Sequence, residues 1–399
     1  MNNNKYGIVL FKNTANLGDD IQVYAASRFY PQIDYIIDRE SISEFVPNQK
    51  EKVKVVMNGW FNHDKTEFLI SPYIDPLFIS IHFTENDLYL SPGYSFLTDY
   101  AKKVMSKYKI GCRDNHTLEV LKKLGYKDVY FSSCMTTTIN PIGKKKTKDY
   151  IVAVDMNPKI VEHLRKITNK EVIETTHWLF LEDNMTYDEQ RKKIDEFDKA
   201  NSEKREKMIQ KHANLSFEER MKLVEKQLKL YQEASLVVTD RIHVGLPCLG
   251  LQTNVLLIYY DYNSDRIETF KELLVNCTEE EFLQMEKEDL LNIKNKNTYK
   301  KYREKIIKDT QKFISEETKD KEELPDINIF KDINIGREKY LKKLYTERID
   351  ELKKENEKLK IENKLMENDL SFYKKIKYSR SWKIIGKMYK LKAKDKSNL

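Results

Sequence analysis

Residues 6–30, YGIVLFKNTANLGDDIQVYAASRFY, decide the fold of this chain. The stretch opens with a short apolar run, Tyr6–Phe11, which is typical of a buried strand. A polar turn follows, and Asp20–Tyr30 has the pattern of a helix. Because a strand that leads through a turn into a helix begins a βαβ unit, the stretch predicts an α/β fold with a mostly parallel sheet.

The same alternation continues along the chain in two series. The first series predicts strands at Val53–Asn58, Leu77–Phe83, Lys109–Cys112 and Val129–Ser132, with a helix at Thr117–Leu124 that Gly125 closes. The second series predicts strands at Tyr150–Asp155, Glu171–Thr175, Leu236–Thr239 and Val255–Tyr259.

A length of 399 residues is too great for one ordinary core and suits two domains with appendages. We predict an N-terminal α/β domain at 1–139 and a second α/β domain at 140–315, which begins with a linker, NPIGKKKTK. In the second domain we expect the charged segment 188–233 to form helices outside the sheet, and 265–315 to be helical. Residues 316–337 are predicted to be a linker because they contain Pro325 and a duplicated DINI.

Residues 338–373 carry a heptad pattern. One register places the apolar residues Tyr345, Leu352, Leu359, Met366 and Tyr373 at d positions. The pattern predicts a coiled coil and a homodimer formed through it. The alternative is a single solvated helix, because Glu and Lys fill most other positions.

The C-terminal tail, 374–399, is basic and amphipathic. Residues 373–399 hold ten of the Lys and Arg residues and one acid, so the rest of the chain is slightly acidic although the whole carries +7. This excludes a basic nucleic-acid-binding body. Trp382, Ile384 and Ile385 among the basic residues favour peripheral contact with an anionic membrane surface, and a disordered solubilising tail is the alternative.

The remaining composition predicts a cytoplasmic protein, with any membrane contact at the inner face. The first residues lack the basic and apolar regions of a secretion signal, and no uncharged stretch is long enough to span a bilayer. Four irregularly spaced cysteines, Cys112, Cys134, Cys248 and Cys277, predict reduced core thiols and no zinc site.

Polar residues recur after the predicted strands, where parallel α/β sheets bind their ligands. They are Asn16, Gly18 and Asp19 after the first strand, His82 at the end of the third, Arg113 and Asp114 after the fourth, and Arg241 and His243 after the strand at Leu236. If the two sheets face each other, these groups converge on one site. Each has a structural alternative: a helix cap for Gly18-Asp19, a local ion pair for Arg113-Asp114, and a core histidine for His82.

In their order along residues 5–260, these segments resemble the polysaccharide pyruvyl transferase family. The matching elements are Asn16-x-Gly18-Asp19 with Gln22, Asn58-Gly59-Trp60-Phe61, Ser80–His82, Ile110–Asp114, Tyr130–Ser132 and Thr239-x-Arg241-Ile242-His243 with Leu246-Pro247. The resemblance implies two Rossmann-like domains facing across a cleft, as in GT-B glycosyltransferases. It also implies transfer of a pyruvyl group from phosphoenolpyruvate to a sugar of a surface polysaccharide or its lipid-linked precursor, with formation of a cyclic ketal.

The Arg-x-His element resembles the donor-binding motif of that family. We therefore expect Arg241, then Arg113, to bind the anionic donor, with Ile242, Asn16 and Gly18 beside them. His243, in preference to His82, is the expected acid, and Asp19 or Asp114 is the expected base. Neither a cofactor nor a protein-bound metal is expected.

Two other functions fit the same pattern. One is a nucleotide-sugar glycosyltransferase of the GT-B type, because fold does not settle function. The other is a scaffold of the glycan assembly machinery without catalytic activity, in which the coiled coil is the working part.

Overall fold

The computed structural model describes residues 4–49, 51–61, 70–83, 99–144, 147–182, 185–260, 264–318 and 327–377, together with Ser379 and Ile384. The chain divides into two units, Met1–Ile327 and Asn328–Leu399. Both sheets belong to the first unit.

The first sheet has six described strands, all parallel. They are β1 (Lys5–Leu10), β2 (Tyr35–Asp38), β3 (Val53–Trp60), β4 (Ile74–His82), β5 (Ile110–Cys112) and β6 (Val129–Phe131), in the spatial order β2-β1-β3-β4-β5-β6. Strand β2 has no counterpart in the sequence prediction. It is a four-residue edge strand with Ile36 53% exposed, so it lacks the buried apolar run that reveals the other strands.

The second sheet has five described strands, also all parallel. They are β7 (Tyr150–Val154), β8 (Glu171–Thr175), β9 (Leu236–Thr239), β10 (Val255–Tyr259) and β11 (Val275–Thr278), in the order β11-β10-β9-β7-β8. Strand β11 corrects the prediction that 265–315 is helical throughout. Among the described strands its four residues pair with β10 alone, and charged helices on both sides of it in the sequence hide its signal.

Thirteen α-helices are described. They are α1 (Leu17–Ser27), α2 (Asp99–Met105), α3 (Asn115–Lys123), α4 (Pro158–Ile167), α5 (Tyr187–Lys199), α6 (Ser202–Ala213), α7 (Phe217–Glu233), α8 (Ile242–Gly250), α9 (Ser264–Lys271), α10 (Glu279–Phe282), α11 (Lys287–Asn292), α12 (Lys300–Ser315) and α13 (Ile327–Lys377). Two short 3-10 helices lie at Arg39–Glu44 and Met135–Thr138.

The charged segment 188–233 folds as the three helices α5, α6 and α7, as its composition predicted. Besides lying outside the second sheet, as expected, they make a contact that was not predicted. The apolar face of α7, including Val224 and Leu228, shares one core with Ile21 and Tyr24 of α1. These helices therefore join the second half of the chain to the first helix of the first half.

Helix α12 also crosses between the halves. It lies within 140–315, yet its C-terminal end packs on the first sheet. The Lys54 ammonium donates to the Phe313 carbonyl at 3.0 Å, and the Tyr6 hydroxyl donates to the Ile314 carbonyl at 3.0 Å. The chain therefore contacts the first domain again before residue 315, so the predicted end of the second domain at 315 does not separate the packing of the two domains.

In the second unit, α13 is one unbroken helix that begins at Ile327, inside the segment predicted as a linker. Its predicted d residues Leu352, Leu359, Met366 and Tyr373 are all about half exposed or more. The coiled coil and the homodimer stay predictions. Apart from 374–377, Ser379 and Ile384, the predicted tail lies outside the described residues. None of the described helices combines the length and the apolar character that crossing a membrane requires.

A buried ion cluster, Asp20–Arg220–His212, connects α1 to α6 and α7. The Arg220 guanidinium donates to Asp20 Oδ1 at 2.6 Å from Nη2, and Nε lies 3.2 Å from Oδ2. His212 Nε2 lies 2.7 Å from Asp20 Oδ2, and Arg220 Nη2 also donates to the Phe11 carbonyl at 2.7 Å. The side chains of Asp20 and Arg220 are fully buried.

Removing Arg220 should destabilise the whole first unit, because it leaves the Asp20 charge buried with half of its partners. We expect Arg220→Ala to lower the free energy of unfolding by about 3–5 kcal/mol, measured by urea denaturation. The matched control is Lys207→Ala on α6, where an exposed pair with Glu203 is lost and stability should stay nearly unchanged. Equal stability of the two variants would contradict this role of the cluster.

Candidate active site

The carboxyl ends of both sheets contribute to one cluster of ionisable side chains. Arg113 follows β5 in the first sheet, and His243 lies in the first turn of α8 after β9 in the second. Arg113 Nη1 lies 3.5 Å from His243 Nε2 and donates to Gln22 Oε1 at 3.1 Å. The structure thus brings together side chains from both sheets.

Gly18 lies against the other side of the His243 ring. A Cβ atom at position 18 would lie 2.9 Å from His243 Cβ and 3.0 Å from Nδ1, so only glycine allows α1 to begin this close to the imidazole. Asn16 is the N-cap of α1, and its Oδ1 accepts from the Gly18 amide at 2.9 Å. The Asn16 side chain therefore holds the turn in place.

Asp114 and His82 form a buried pair below Arg113. Asp114 Oδ1 accepts from the Thr117 amide at 2.8 Å as the N-cap of α3, and Oδ2 lies 2.6 Å from His82 Nδ1 and 3.6 Å from Arg113 Nε. Burial alone would raise the pKa of the Asp114 carboxyl. His82, Arg113 and the Thr117 amide outweigh it and hold that pKa well below its usual range. Asp114 is therefore an ionised partner that positions its two neighbours.

Asp19, the other predicted base, is partly exposed. Its Oδ2 accepts from the Thr14 hydroxyl at 2.6 Å, and its Oδ1 accepts from Gln22 Nε2 at 3.2 Å. Because Gln22 also accepts from Arg113, Asp19 is connected to the central pair through a single side chain.

Arg241 is held between a carboxylate and an aromatic ring. Its Nε lies 2.5 Å from Asp155 Oδ2, and its guanidinium carbon lies 4.8 Å from the centre of the Trp178 ring. Arg241 is also the N-cap of α8, which has no side-chain cap, and Ile242 is the first residue of that helix. An uncapped helix N-terminus beside a guanidinium favours an anion.

Asp155 is a site residue that the sequence analysis missed. It follows β7 directly, in the left-handed region at φ 56°, which non-glycine residues rarely adopt. Its Oδ1 accepts from the Thr176 hydroxyl at 2.6 Å, and its Oδ2 accepts from the His177 amide at 3.1 Å. The rule that ligand groups follow strands would have found Asp155, had β7 been predicted to end one residue earlier.

Trp178 is the second missed residue, and it belongs to a backbone pairing between the two halves. The Leu17 amide donates to the His177 carbonyl at 2.9 Å, and the Leu179 amide donates to the Ala15 carbonyl at 2.9 Å. This short antiparallel bridge places Asn16 opposite Trp178. No local pattern in the sequence signals it, because the two segments are far apart in the chain.

His177 is fully buried, and its Nε2 lies 2.8 Å from the Tyr231 hydroxyl. Burial lowers the pKa of His177 to about 3, with Asp155 opposing and Arg241 adding to the effect. The ring is therefore neutral at physiological pH and serves to support the loop that carries Trp178.

This neutral histidine should make the protein sensitive to acid. The unfolded chain takes up a proton at His177 below its ordinary pKa of about 6.5, whereas the folded protein does so only near 3. The contribution of neutral His177 to the free energy of unfolding is therefore complete above about pH 6.5. It is lost as pH falls below that value, at about 1.4 kcal/mol per pH unit. His177→Gln should show a smaller loss than wild type between pH 6 and pH 5 in urea denaturation; equal slopes would contradict the assignment.

Within the described ranges, no group of three or more His, Cys, Asp or Glu side chains is arranged to hold a metal ion. All four cysteines are free and buried, as expected of core thiols. Independence of the reaction from a metal stays a prediction.

The two parallel α/β sheets thus gather guanidinium, imidazole and carboxylate groups at their carboxyl ends, an arrangement suited to binding an anion. The family model of polysaccharide pyruvyl transferases matches residues 16–262, more than half of the chain. The chain therefore belongs to the polysaccharide pyruvyl transferase family, as its ordered motifs predicted, and that membership supports a transferase. Among curated proteins, none matches the chain.

The solved structures that match the chain are distant from it. A functionally uncharacterised protein of Klebsiella pneumoniae shares 12% identity over 67% of this chain and 88% of its own, with a TM-score of 0.34. S. aureus MnaA in a structure with UDP shares 11% identity over 79% of this chain and 99% of its own, with a TM-score of 0.35. E. coli heptosyltransferase WaaC in a structure with ADP shares 12% identity over 77% of this chain and 99% of its own, with a TM-score of 0.30. These scores establish no common domain arrangement, so the GT-B-like cleft stays a prediction.

Proposed function

We propose that the protein transfers a pyruvyl group from phosphoenolpyruvate to two hydroxyls of a sugar, forming a cyclic ketal on a surface polysaccharide or its lipid-linked precursor. The contact between Arg113 and His243 carries the proposal. It joins a fixed cation to an imidazole at the carboxyl ends of both sheets, beside the N-termini of α1 and α8. Family membership supports pyruvyl transfer.

Phosphoenolpyruvate carries a phosphate and a carboxylate, so it requires at least one fixed guanidinium. The side chain of Arg241 is 20% exposed and that of Arg113 is 1% exposed, so Arg241 is the one that an incoming donor reaches first. Trp178 and Asp155 hold its guanidinium in place, and the uncapped N-terminus of α8 adds its dipole on the same side. Arg241 therefore binds the phosphate, and Arg113 orients His243.

The donor's methylene carbon must accept a proton before its central carbon can be attacked. An arginine N–H can only donate, so His243 Nε2 accepts from Arg113 and the ring proton lies on Nδ1. Gly18 lies against the Nδ1 side of the ring, where a Cβ atom would be 3.0 Å from Nδ1. To act as the acid, His243 carries a second proton on Nε2; giving that proton to the methylene carbon leaves the neutral ring that Arg113 contacts, a role suited to histidine near neutral pH.

The first sugar hydroxyl must lose its proton as it adds to the central carbon. Asp114 is engaged with His82, Arg113 and the Thr117 amide, which makes it a weak base. Asp19 is partly exposed and is the acid group on the Gly18 side of His243. We therefore assign the base to Asp19, with Asp114 and His82 as the support for Arg113.

The acceptor's location follows from the two C-terminal predictions. A homodimer through 338–373 and contact of 374–399 with the inner face of the membrane would place the site near lipid-linked sugars. Both remain part of the proposal.

Loss of Arg241 should weaken donor binding. Because a charge-assisted hydrogen bond contributes about 1.5–3 kcal/mol, we expect Arg241→Ala to raise the Kd for phosphoenolpyruvate about 10- to 150-fold in titration calorimetry. The control is Arg165→Ala, which removes an exposed guanidinium paired with Glu174 on the same half of the molecule. If Arg241→Ala binds phosphoenolpyruvate as tightly as wild type does, Arg241 is not the residue that binds the donor.

The reaction is tested by incubating the pure protein with phosphoenolpyruvate and glycan acceptor. Wild type should release one phosphate for each pyruvyl group that mass spectrometry finds on the glycan. His243→Gln should bind the donor with similar affinity but turn over about 10²–10⁴ times more slowly, because the proton donor is lost. Consumption of UDP-sugars with no use of phosphoenolpyruvate would overturn the proposal in favour of a glycosyltransferase.

A further inference from the structure

Two carboxyl groups lie side by side at the end of the second sheet. Val154 of β7 pairs in register with Thr239 of β9, and each strand is followed at once by an aspartate, Asp155 and Asp240. The next residue after Asp240 is Arg241, the N-cap of α8. One guanidinium is therefore placed beside two acids, and its charge can neutralise only one of them.

Asp155 is the acid that forms the ion pair with Arg241. Its two oxygens accept from the Thr176 hydroxyl and the His177 amide, and Arg241 Nε lies 2.5 Å from Oδ2. Two hydrogen bonds and one ion pair thus hold the Asp155 side chain beside Arg241. Asp155 is therefore the counter-ion of Arg241.

Asp240 is left in the opposite condition. Its Oδ1 atom is buried, and it has no hydrogen-bond partner within the part of the chain that the structure describes. A buried carboxylate oxygen with no donor is costly, so the neutral acid is favoured. Burial raises the pKa of Asp240 to about 7; Arg241 opposes this, the negative Asp155 adds to it, and the backbone amide of Asp240 and Arg191 of α5 also oppose it.

We infer that Asp240 is a second catalytic acid, which gives its proton to the departing phosphate and then takes the proton of the second sugar hydroxyl. The inference rests on the proposed pyruvyl transfer. It follows from position: Asp240 immediately precedes the residue that binds the phosphate, whereas His243, at the Gly18 turn, serves the methylene carbon.

The step balances without a further reactant. After the first hydroxyl has added, the bond between the central carbon and the bridging oxygen breaks. Its electron pair goes to the phosphate, which takes the proton of Asp240. The oxygen of the second hydroxyl then bonds to the same carbon, and its proton returns to the Asp240 carboxylate. The methyl group holds the proton from His243, and the proton that Asp19 took from the first hydroxyl passes through solvent to reprotonate His243, so the ketal and hydrogen phosphate are the only products.

The test is Asp240→Asn, which keeps the shape of the side chain but cannot act as an acid. We expect its kcat with phosphoenolpyruvate to fall about 10²–10⁴-fold while the Kd for the donor changes less than about 3-fold. In wild type, kcat should fall as pH rises through about 7 with the loss of two protons, those of His243 and Asp240; in Asp240→Asn the fall should depend on one proton only. The matched control is Asp149→Asn, an exposed carboxyl at the opposite end of β7, which should behave as wild type.

A second donor separates loss of the acid from structural damage. Enolpyruvyl sulfate releases sulfate, which needs no proton to depart. With this donor Asp240→Asn lacks only the base for the second hydroxyl, so its deficit in kcat relative to wild type should be smaller than with phosphoenolpyruvate; an equal deficit with both donors would overturn the acid role. Infrared spectra add a measurement on wild type alone, since a protonated carboxyl band that titrates near pH 7 is expected and its lack would overturn the inference.

Failure of this inference is distinct from failure of the proposed function. If wild type makes the ketal and Asp240→Asn keeps the wild-type kcat with an unchanged dependence on pH, only the role of Asp240 is refuted. Wild type that transfers no pyruvyl group refutes both.

Discussion

The buried ion pair between Asp20 and Arg220 is the constraint on which the site depends. Asp20 lies in the first turn of α1, two residues after Gly18, and Arg220 holds it from α7 while also donating to the Phe11 carbonyl at the end of β1. Fully buried charges tolerate little displacement, because separation exposes each to an uncompensated cost of desolvation. The start of α1 is thus anchored to the second half of the chain, and Gly18 with it against His243.

The site distributes its charges so that most ionised groups have a fixed partner. Asp114 holds His82 and supports Arg113, while Asp155 holds Arg241. This arrangement fixes the orientation of the two guanidinium groups. Asp240 departs from the pattern: its buried oxygen has no donor within the described residues, which makes it a group that can change its protonation state during a reaction.

Strands with a buried apolar run were predicted from the sequence to within a few residues, because burial on both faces of a parallel sheet demands such runs. The edge strands β2 and β11 were not, since four-residue strands paired on one side carry too little apolar signal. The return of α12 to the first sheet was also missed. It depends on contacts such as Tyr6 with Ile314, which join the two ends of the unit. Among the candidate residues, Arg113, His243 and Gly18 were predicted from their place after strands, whereas Asp155 and Trp178 were not.

The sequence by itself determined the α/β alternation, the family and the residue types at the ends of the strands, because each is written in local pattern or in ordered motifs. Only the tertiary structure decided which groups meet. Arg113 faces His243, Arg241 turns to Asp155 and Trp178, and Asp240 is left with a buried oxygen. These outcomes depend on distances of a few ångströms between segments far apart in the chain, and no periodicity along the chain encodes such distances.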